Sequence, residues 1–272
     1  MQPMPMQMQG SEGGIGIIAL AYATSCLGCL LGLSAMTRAR STDGSTRVRW
    51  LVISAFAIGG TGVWAMHFIA MLGFSIPGSE ITYNVPITLA SLVVAIVVVG
   101  VGLTIAVAGQ ASARALALGG GITGLGVASM HYLGMSAVNM PATMSYHPLV
   151  FIASIVIAVT ASIAALWAAV NVRGIPAMIG ACLVMGVAVS GMHYTGMAAM
   201  IMTTAPLTTR EGLTANQLLL PLIGGIGLST IVMLFLTGLG PTERDIQEEA
   251  EIRSNLDKLA SARAVAGSGD FS

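Results

Sequence analysis

Charge is what this sequence has least of. Only 8% of its 272 residues are Asp, Glu, Lys or Arg, against 55% hydrophobic residues, and the mean hydropathy is +0.86. A water-soluble domain of this length cannot bury that much apolar surface, so the bilayer must be part of its solvent. The few charges leave long empty stretches. None lies between Arg49 and Glu80, Glu80 and Arg114, Arg114 and Arg173, Arg173 and Arg210, or Glu211 and Glu243. A net charge of zero gives no hint of nucleic acid. Cysteine is scarce too. Cys26 and Cys29 form a C-x-x-C inside an apolar run and Cys182 stands alone, and all three read as small-residue packing rather than a redox pair. No nucleophile–base pair or carboxylate dyad is visible, so an enzyme is not expected.

Spans of about 20 residues fit the uncharged stretches singly or in pairs. Splitting at Pro, Gly and polar clusters predicts an all-α integral membrane protein with seven transmembrane helices, at 14–36, 50–74, 85–108, 115–138, 149–171, 176–200 and 218–239. Residues 1–13 form a Met-rich outer tail, 14–240 the membrane domain, and 241–272 a polar tail with helical character. Loops are expected at "TRARSTDGSTRVR", "SIPGSEITYNVP", "GQASAR", "NMPATMSYHP", "NVRGIP" and "TTAPLTTREGLTANQ". Ten of the eleven basic residues fall on one side of this arrangement, Arg210 alone on the other. The basic side is cytoplasmic, placing the N-terminus outside and the C-terminus inside. The first segment has no basic n-region or convincing cleavage site and reads as a retained helix.

Three stretches align without gaps: "GTGVWAMHFIAM" (60–71), "GLGVASMHYLGM" (124–135) and "GVAVSGMHYTGM" (186–197). Their histidines, His67, His131 and His193, are 64 and 62 residues apart, which is room for two helices and their loops. The spans therefore form three parallel two-helix repeats plus a seventh helix, with one histidine on each of the second, fourth and sixth. The histidines follow Arg49, Arg114 and Arg173 by 18, 17 and 20 residues. At about 1.5 Å per residue, each lies about 25–30 Å from the cytoplasmic boundary, at the outer edge of the hydrocarbon. Residues at i+4 share a helix face, and Met71, Met135 and Met197 hold that place. Gly60 and Ala70, Gly124 and Gly134, and Gly186 and Gly196 lie on the same face, which is a packing face. The three imidazoles are thus expected to converge. Met66, Met130 and Met192, at i−1, are rotated about 100° away and reach such a site only from a neighbouring helix or an unwound end.

Imidazole with thioether and almost no carboxylate is a soft donor set, for which copper is the expected metal. Fourteen of the eighteen methionines fall in the outer layer of this topology, including Met1, Met4, Met6, Met8, Met140, Met144, Met200 and Met202, with His147 beside them. A bland reading stands beside this one. Methionine in an apolar helix is usually filler, and an intramembrane histidine can be a hydrogen-bonded packing residue. Three copies at equal depth favour a shared ligand site over packing alone. For the N-terminal methionines, metal capture and a plain disordered tail remain equally open.

The repeated M-H-Y-x-G-M pattern resembles the MHYT domain of bacterial integral-membrane sensors over about residues 10–240. The resemblance implies a seven-helix module of the bacterial inner membrane that binds copper and senses oxygen, carbon monoxide or nitric oxide. Carried over by motif, the implied ligands are Met66 and His67, Met130 and His131, and Met192 and His193; helical geometry adds Met71, Met135 and Met197. Only the third copy spells the motif through Thr195, and the first has Phe68 where the others have Tyr132 and Tyr194. Relatives of this kind often continue into cytoplasmic signalling domains, whereas about 30 residues follow the last span here. Their weak apolar stripe (Ile252, Leu256, Leu259) is a slight coiled-coil signal, and an output partner is expected in trans. Copper capture, storage or transport is the alternative to sensing. Haem held by two histidines and a purely structural module rank behind both.

Overall fold

The three-dimensional structure is a computed structural model that describes residues 7–8, 11–75, 81–204, 212–238, 251–252 and 254–256. Met1, Met4, Met6, Arg210 and most of 241–272 lie outside the described residues. The chain divides into two compact units, Met1–Leu234 and Phe235–Ser272. In the second, the described residues are the last turn of a helix and the helical residues 251–252 and 254–256, with Ile252 and Leu256 exposed.

The first unit is nearly all helical. Its rods are α1 (Ser11–Arg40), a continuous second rod (Gly44–Leu72), α4 (Val85–Ala108), α5 (Ala113–Ser136), α6 (Pro148–Asn171), α7 (Ile175–Ala198) and α8 (Ala215–Gly238). The second rod changes its winding twice, as α2 (Gly44–Ala55), a π-helical stretch (Phe56–Ala65) and α3 (Met66–Leu72). Among the described residues five rods, α1, the second, α4, α6 and α7, are long and apolar enough to cross a membrane. α5 misses that threshold although it matches the others in length, because six of its residues are glycine. The apolar stretch of α8, Leu220–Leu236, is shorter. The outer faces carry large apolar side chains such as Val93, Leu118, Val156 and Val184, all exposed, as a lipid-facing surface requires. The chain is a multi-pass membrane protein.

The first expected loop is much shorter than its composition suggests. α1 continues to Arg40 and α2 starts at Gly44. The polar side chains there bond back to the helices: Thr42 Oγ1 donates to the Arg38 carbonyl (2.9 Å) and Arg47 Nε to that of Thr42 (2.7 Å). Arg47 also pairs with Asp43. Arg40 reaches across to the carbonyls of Ala169 and Val172 (3.0 and 3.1 Å), groups that the end of α6 leaves without helical partners. Thr24, Thr88 and Thr104 bond to the carbonyl four residues back, whereas Ser54 donates to Gly32 in the neighbouring rod (2.9 Å). Cys26, Cys29 and Cys182 are free thiols; Cys29 and Cys182 are buried in the apolar core.

Purely helical architecture was expected, and here the structure differs. At the ends of the rods that carry the histidines, connecting segments pair as short strands. β1 (Gln7–Met8) pairs with β2 (Phe74–Ser75); β3 (Thr82–Tyr83) lies between β4 (Val138–Asn139) and β7 (Leu213–Thr214); β5 (Ala142–Tyr146) pairs with β6 (Met200–Thr204). All pairings are antiparallel. Loop backbone at a membrane edge must find partners for its N–H and C=O groups, and ladders between loops supply them. Asn84, whose side chain accepts from the Ile87 N–H (3.1 Å), ends β3 and starts α4.

Small residues set the spacing of the rods. A Cβ built on Gly28 of α1 falls 2.2 Å from the Gly62 nitrogen, and one on Gly124 of α5 falls 2.4 Å from the Val159 Cα of α6. One on Gly59 falls 2.6 Å from the Ala95 carbonyl oxygen of α4. Backbones in these pairs touch directly, the close packing that a membrane core rewards.

Candidate metal centre

α3, α5 and α7 each deliver one histidine to a common point. His67, His131 and His193 are almost fully buried, between 1% and 2% exposed. Their ring centroids are 4.9, 5.0 and 5.1 Å apart and their planes cross at 75–86°, so the rings stand as a three-bladed propeller. The Nδ1 atoms face inward. His67 Nδ1 is 3.0 Å from His193 Nδ1 and 3.2 Å from His131 Nδ1. Among the described residues these three form the one group of His, Cys, Asp or Glu side chains whose donor atoms are close enough to share an ion, all within 4.8 Å.

Hydrogen bonds among the three imidazoles cannot satisfy both contacts of His67 Nδ1 at once. A neutral imidazole nitrogen carries either one hydrogen or one in-plane lone pair. His67 Nδ1 has two nitrogen neighbours and one hydrogen or lone pair to serve them. Three nitrogens bound to one ion at about 2.0 Å would stand about 3.3–3.5 Å apart, close to the spacing found. With lone pairs turned inward, the ring hydrogens sit on Nε2. The Nε2 atoms of His67 and His131 are buried without a hydrogen-bond partner, so the usual outer hydrogen bond of a metal-bound histidine is missing there.

Glycine makes room for those ring edges. A Cβ on Gly134 would lie 2.5 Å from His67 Nε2, and one on Gly196 would lie 2.4 Å from His131 Nε2. Each of these glycines follows its own histidine by three residues. The ring from one copy therefore rests on the glycine of the next, a relation between helices that motif spacing alone does not contain. The equivalent place in the first copy is Ala70.

The residue after each histidine braces its ring edge-on. His67–Phe68, His131–Tyr132 and His193–Tyr194 have centroids 4.8–4.9 Å apart at 78–86°. Phe68 does this as well as tyrosine, which explains why the first copy can dispense with the hydroxyl. Tyr132 uses its hydroxyl elsewhere, in a 2.6 Å bond with Ser154 Oγ of α6. Ser154 keeps a second partner, the Phe151 carbonyl at 2.7 Å. Tyr132→Phe should therefore cost about 1 kcal/mol in thermal unfolding and leave metal content unchanged. A loss of metal would mean that the hydroxyl holds more than α6.

The methionines divide. Met66, Met71, Met130, Met135, Met192 and Met197 are all buried. Met71, Met135 and Met197, one turn beyond their histidines, belong to one apolar cluster, which also takes in Met66. Met130 and Met192 fall in two other clusters. Three features were missed in the sequence reading. Tyr83, in the loop after the second rod, donates to the Met71 carbonyl (3.2 Å) and packs against Phe68. Phe56–Ala65 is wound as a π-helix directly before Met66 and His67, a winding frequent at functional sites. The run "GGTG" was its only signal. Trp64, within it, donates to the Thr88 carbonyl (3.2 Å) and Ser91 Oγ (3.0 Å), fixing the stretch to α4.

Fold and site together define a multi-pass helical membrane protein with three repeat-related imidazoles gathered in its interior. The family model described as "MHYT: Bacterial signalling protein N terminal repeat" matches three times, at residues 60–119, 124–181 and 186–244, more than half of the chain. The chain belongs to the MHYT family. It is 39% identical over 188 residues to "Bifunctional diguanylate cyclase/cyclic di-GMP phosphodiesterase MucR" of Pseudomonas aeruginosa, covering 67% of this chain and 27% of that protein. It is 31% identical over 259 residues to "Cyclic di-GMP phosphodiesterase NbdA" of the same organism, covering 91% and 33%. An "Uncharacterized signaling protein" of Caulobacter vibrioides is 32% identical over 255 residues, covering 93% and 30%. The chain thus spans a third or less of the length of these relatives. No solved structure matches.

Proposed function

We propose that this protein is the sensing module of a bacterial signalling system, with one copper ion held by His67, His131 and His193 near the outer face of the inner membrane. The observation that carries this reading is the convergence of three buried Nδ1 atoms from three repeat copies. Thioether-rich, carboxylate-free surroundings favour copper over zinc, magnesium or manganese. Met71, Met135 and Met197 are the proposed soft partners on the far side of the imidazoles, with Met66, Met130 and Met192 completing the motif set. Copper there would supply a redox-active centre, able in its cuprous form to bind oxygen, carbon monoxide or nitric oxide, or to change redox state. The protein's own part is to hold three nitrogens at fixed spacing and to keep water out.

In this reading all seven rods span the bilayer, the N-terminus is outside and the C-terminus inside. Two of the histidine-bearing rods touch their neighbours through backbone, Gly59 against Ala95 of α4 and Gly124 against Val159 of α6, so in this reading a change in imidazole spacing is felt as a shift of helices. The names of two of these relatives refer to cyclic di-GMP turnover, which makes a cytoplasmic cyclic-dinucleotide signalling partner the proposed listener. Copper capture or transport is the second reading, favoured by the methionine-rich cluster beyond the triad.

The test is metal content. Protein purified without a metal-affinity tag should hold about one copper per chain. A folded variant with His67, His131 and His193 all changed to Leu should hold none. Equal copper in both would remove the triad from the reading. Copper accumulating inside vesicles, and lost with His131→Leu, would move the function from sensing to transport.

A further inference from the structure

The β5–β6 ribbon has a composition that strand formation does not explain. Its register sets Met144 opposite Met202 and Tyr146 opposite Met200. Side chains alternate across a strand, and directly opposed residues point to the same face. One face therefore carries Ala142, Met144, Tyr146, Met200 and Met202. Met200 and Met202 are buried, and the others are partly buried. The opposite face, with Thr143, Ser145 and Ile201, is exposed. The buried face packs into the same cluster as Met71, Met135 and Met197. The ribbon is pinned where α7 ends and α6 begins, with the His147 N–H donating to the Ala199 carbonyl (2.7 Å).

Strands favour β-branched and aromatic residues, and a short ribbon over an apolar cluster would be well served by Val or Ile. Methionine holds three of these inward positions instead. Opposed residues have Cβ atoms about 4.5–5.5 Å apart, and residues two apart along a strand about 6.5–7 Å. Three unbranched, flexible thioethers on such a frame can meet at one point. Thioether sulfur selects monovalent soft cations, and it survives oxidising surroundings that would consume thiols.

We propose that Met144, Met200 and Met202 form a second, all-thioether site for a monovalent soft cation, Cu(I) or Ag(I), in the β5–β6 ribbon. The site is distinct from the triad and stands whether or not the imidazoles hold copper. If they do, a cation entering by way of the ribbon meets sulfur before nitrogen.

Silver tests it, being redox-inert and a soft match for Cu(I). The full-length protein in detergent is titrated with Ag(I) beside a Met144→Leu/Met202→Leu variant, a volume-conserving exchange that leaves the fold intact. The variant should lose about one Ag(I) equivalent relative to wild type, or bind it at least tenfold more weakly. Unchanged stoichiometry and affinity would overturn the proposal. The same titration on the triple His→Leu protein separates the two sites. Silver that persists there with sulfur-only neighbours by X-ray absorption, and disappears when M144L/M202L is added, supports the thioether site even if the triad proves to bind nothing. Nitrogen or oxygen neighbours alone would sink it.

Discussion

Gly196→Ala and Gly134→Ala should each lower metal occupancy at least tenfold while the protein still folds. A new methyl at Gly196 would stand 2.4 Å from His131 Nε2 and one at Gly134 2.5 Å from His67 Nε2, distances no side chain occupies without displacement. The atom displaced is the outer edge of an imidazole whose inner edge faces its two counterparts. Turning or pushing the ring spoils the Nδ1 spacing of 3.0–3.2 Å that suits a shared ion. Changes around metal-bound histidines typically cost 10–100-fold in affinity, and overpacking of this size costs about 1–3 kcal/mol of stability. Gly121→Ala and Gly191→Ala, on the same two rods, meet nothing within 4 Å. They should keep full metal content and gain up to about 1 kcal/mol from better helix propensity. Metal content by mass spectrometry and thermal unfolding in detergent read both quantities. If all four variants behave alike, the glycines do not seat the rings.

Gly28→Ala should be worse for the fold than any other single glycine-to-alanine change in α1. The added carbon would lie 2.2 Å from the Gly62 nitrogen, 2.5 Å from its Cα and 2.6 Å from the Ala57 carbonyl. All three are backbone atoms, so no side chain can swing aside and the rods themselves must separate. The loss should exceed about 3 kcal/mol, at the severe end for a point substitution, and appear as an aggregated or absent peak in size exclusion. Gly32→Ala one turn on supplies the comparison. Its nearest atoms, at 2.3 and 2.8 Å, belong to the Ile58 side chain, which can change rotamer. That variant should fold with a loss of about 1–3 kcal/mol. A Gly28→Ala protein that melts with wild type would mean that α1 and the π-helical stretch are not in direct backbone contact. Because that stretch leads straight into His67, the same variant should also disturb the triad.

Much of this protein was legible without coordinates. Uncharged stretches bounded by arginines located the helical rods, since only apolar residues can face lipid over that length. The repeat identified His67, His131 and His193 as equivalent, and helical periodicity put Met71, Met135 and Met197 on their face. Both inferences rest on local regularities that a linear sequence carries in full. Polar composition misled at residues 37–49, because a helix end at a membrane boundary can satisfy serine, threonine and arginine on its own carbonyls. The short strands were missed because each is two to five residues long and pairs with a segment distant in sequence.

What the sequence determined, then, is the solvent, the places of the rods, the repeat and the identity of the histidines. What only the tertiary structure decided is which atoms meet. Nδ1 and not Nε2 faces the centre, His67 Nδ1 comes close to both other Nδ1 atoms, and each of two rings lies on a glycine of the next copy. Met144 comes opposite Met202, 58 positions further along the chain. These are properties of rotation and offset between separate helices and strands, set by backbone contacts at positions such as Gly28, Gly59 and Gly124. Periodicity fixes the face a residue takes on its own helix; how far that helix is turned against its neighbour depends on the packing of both at once.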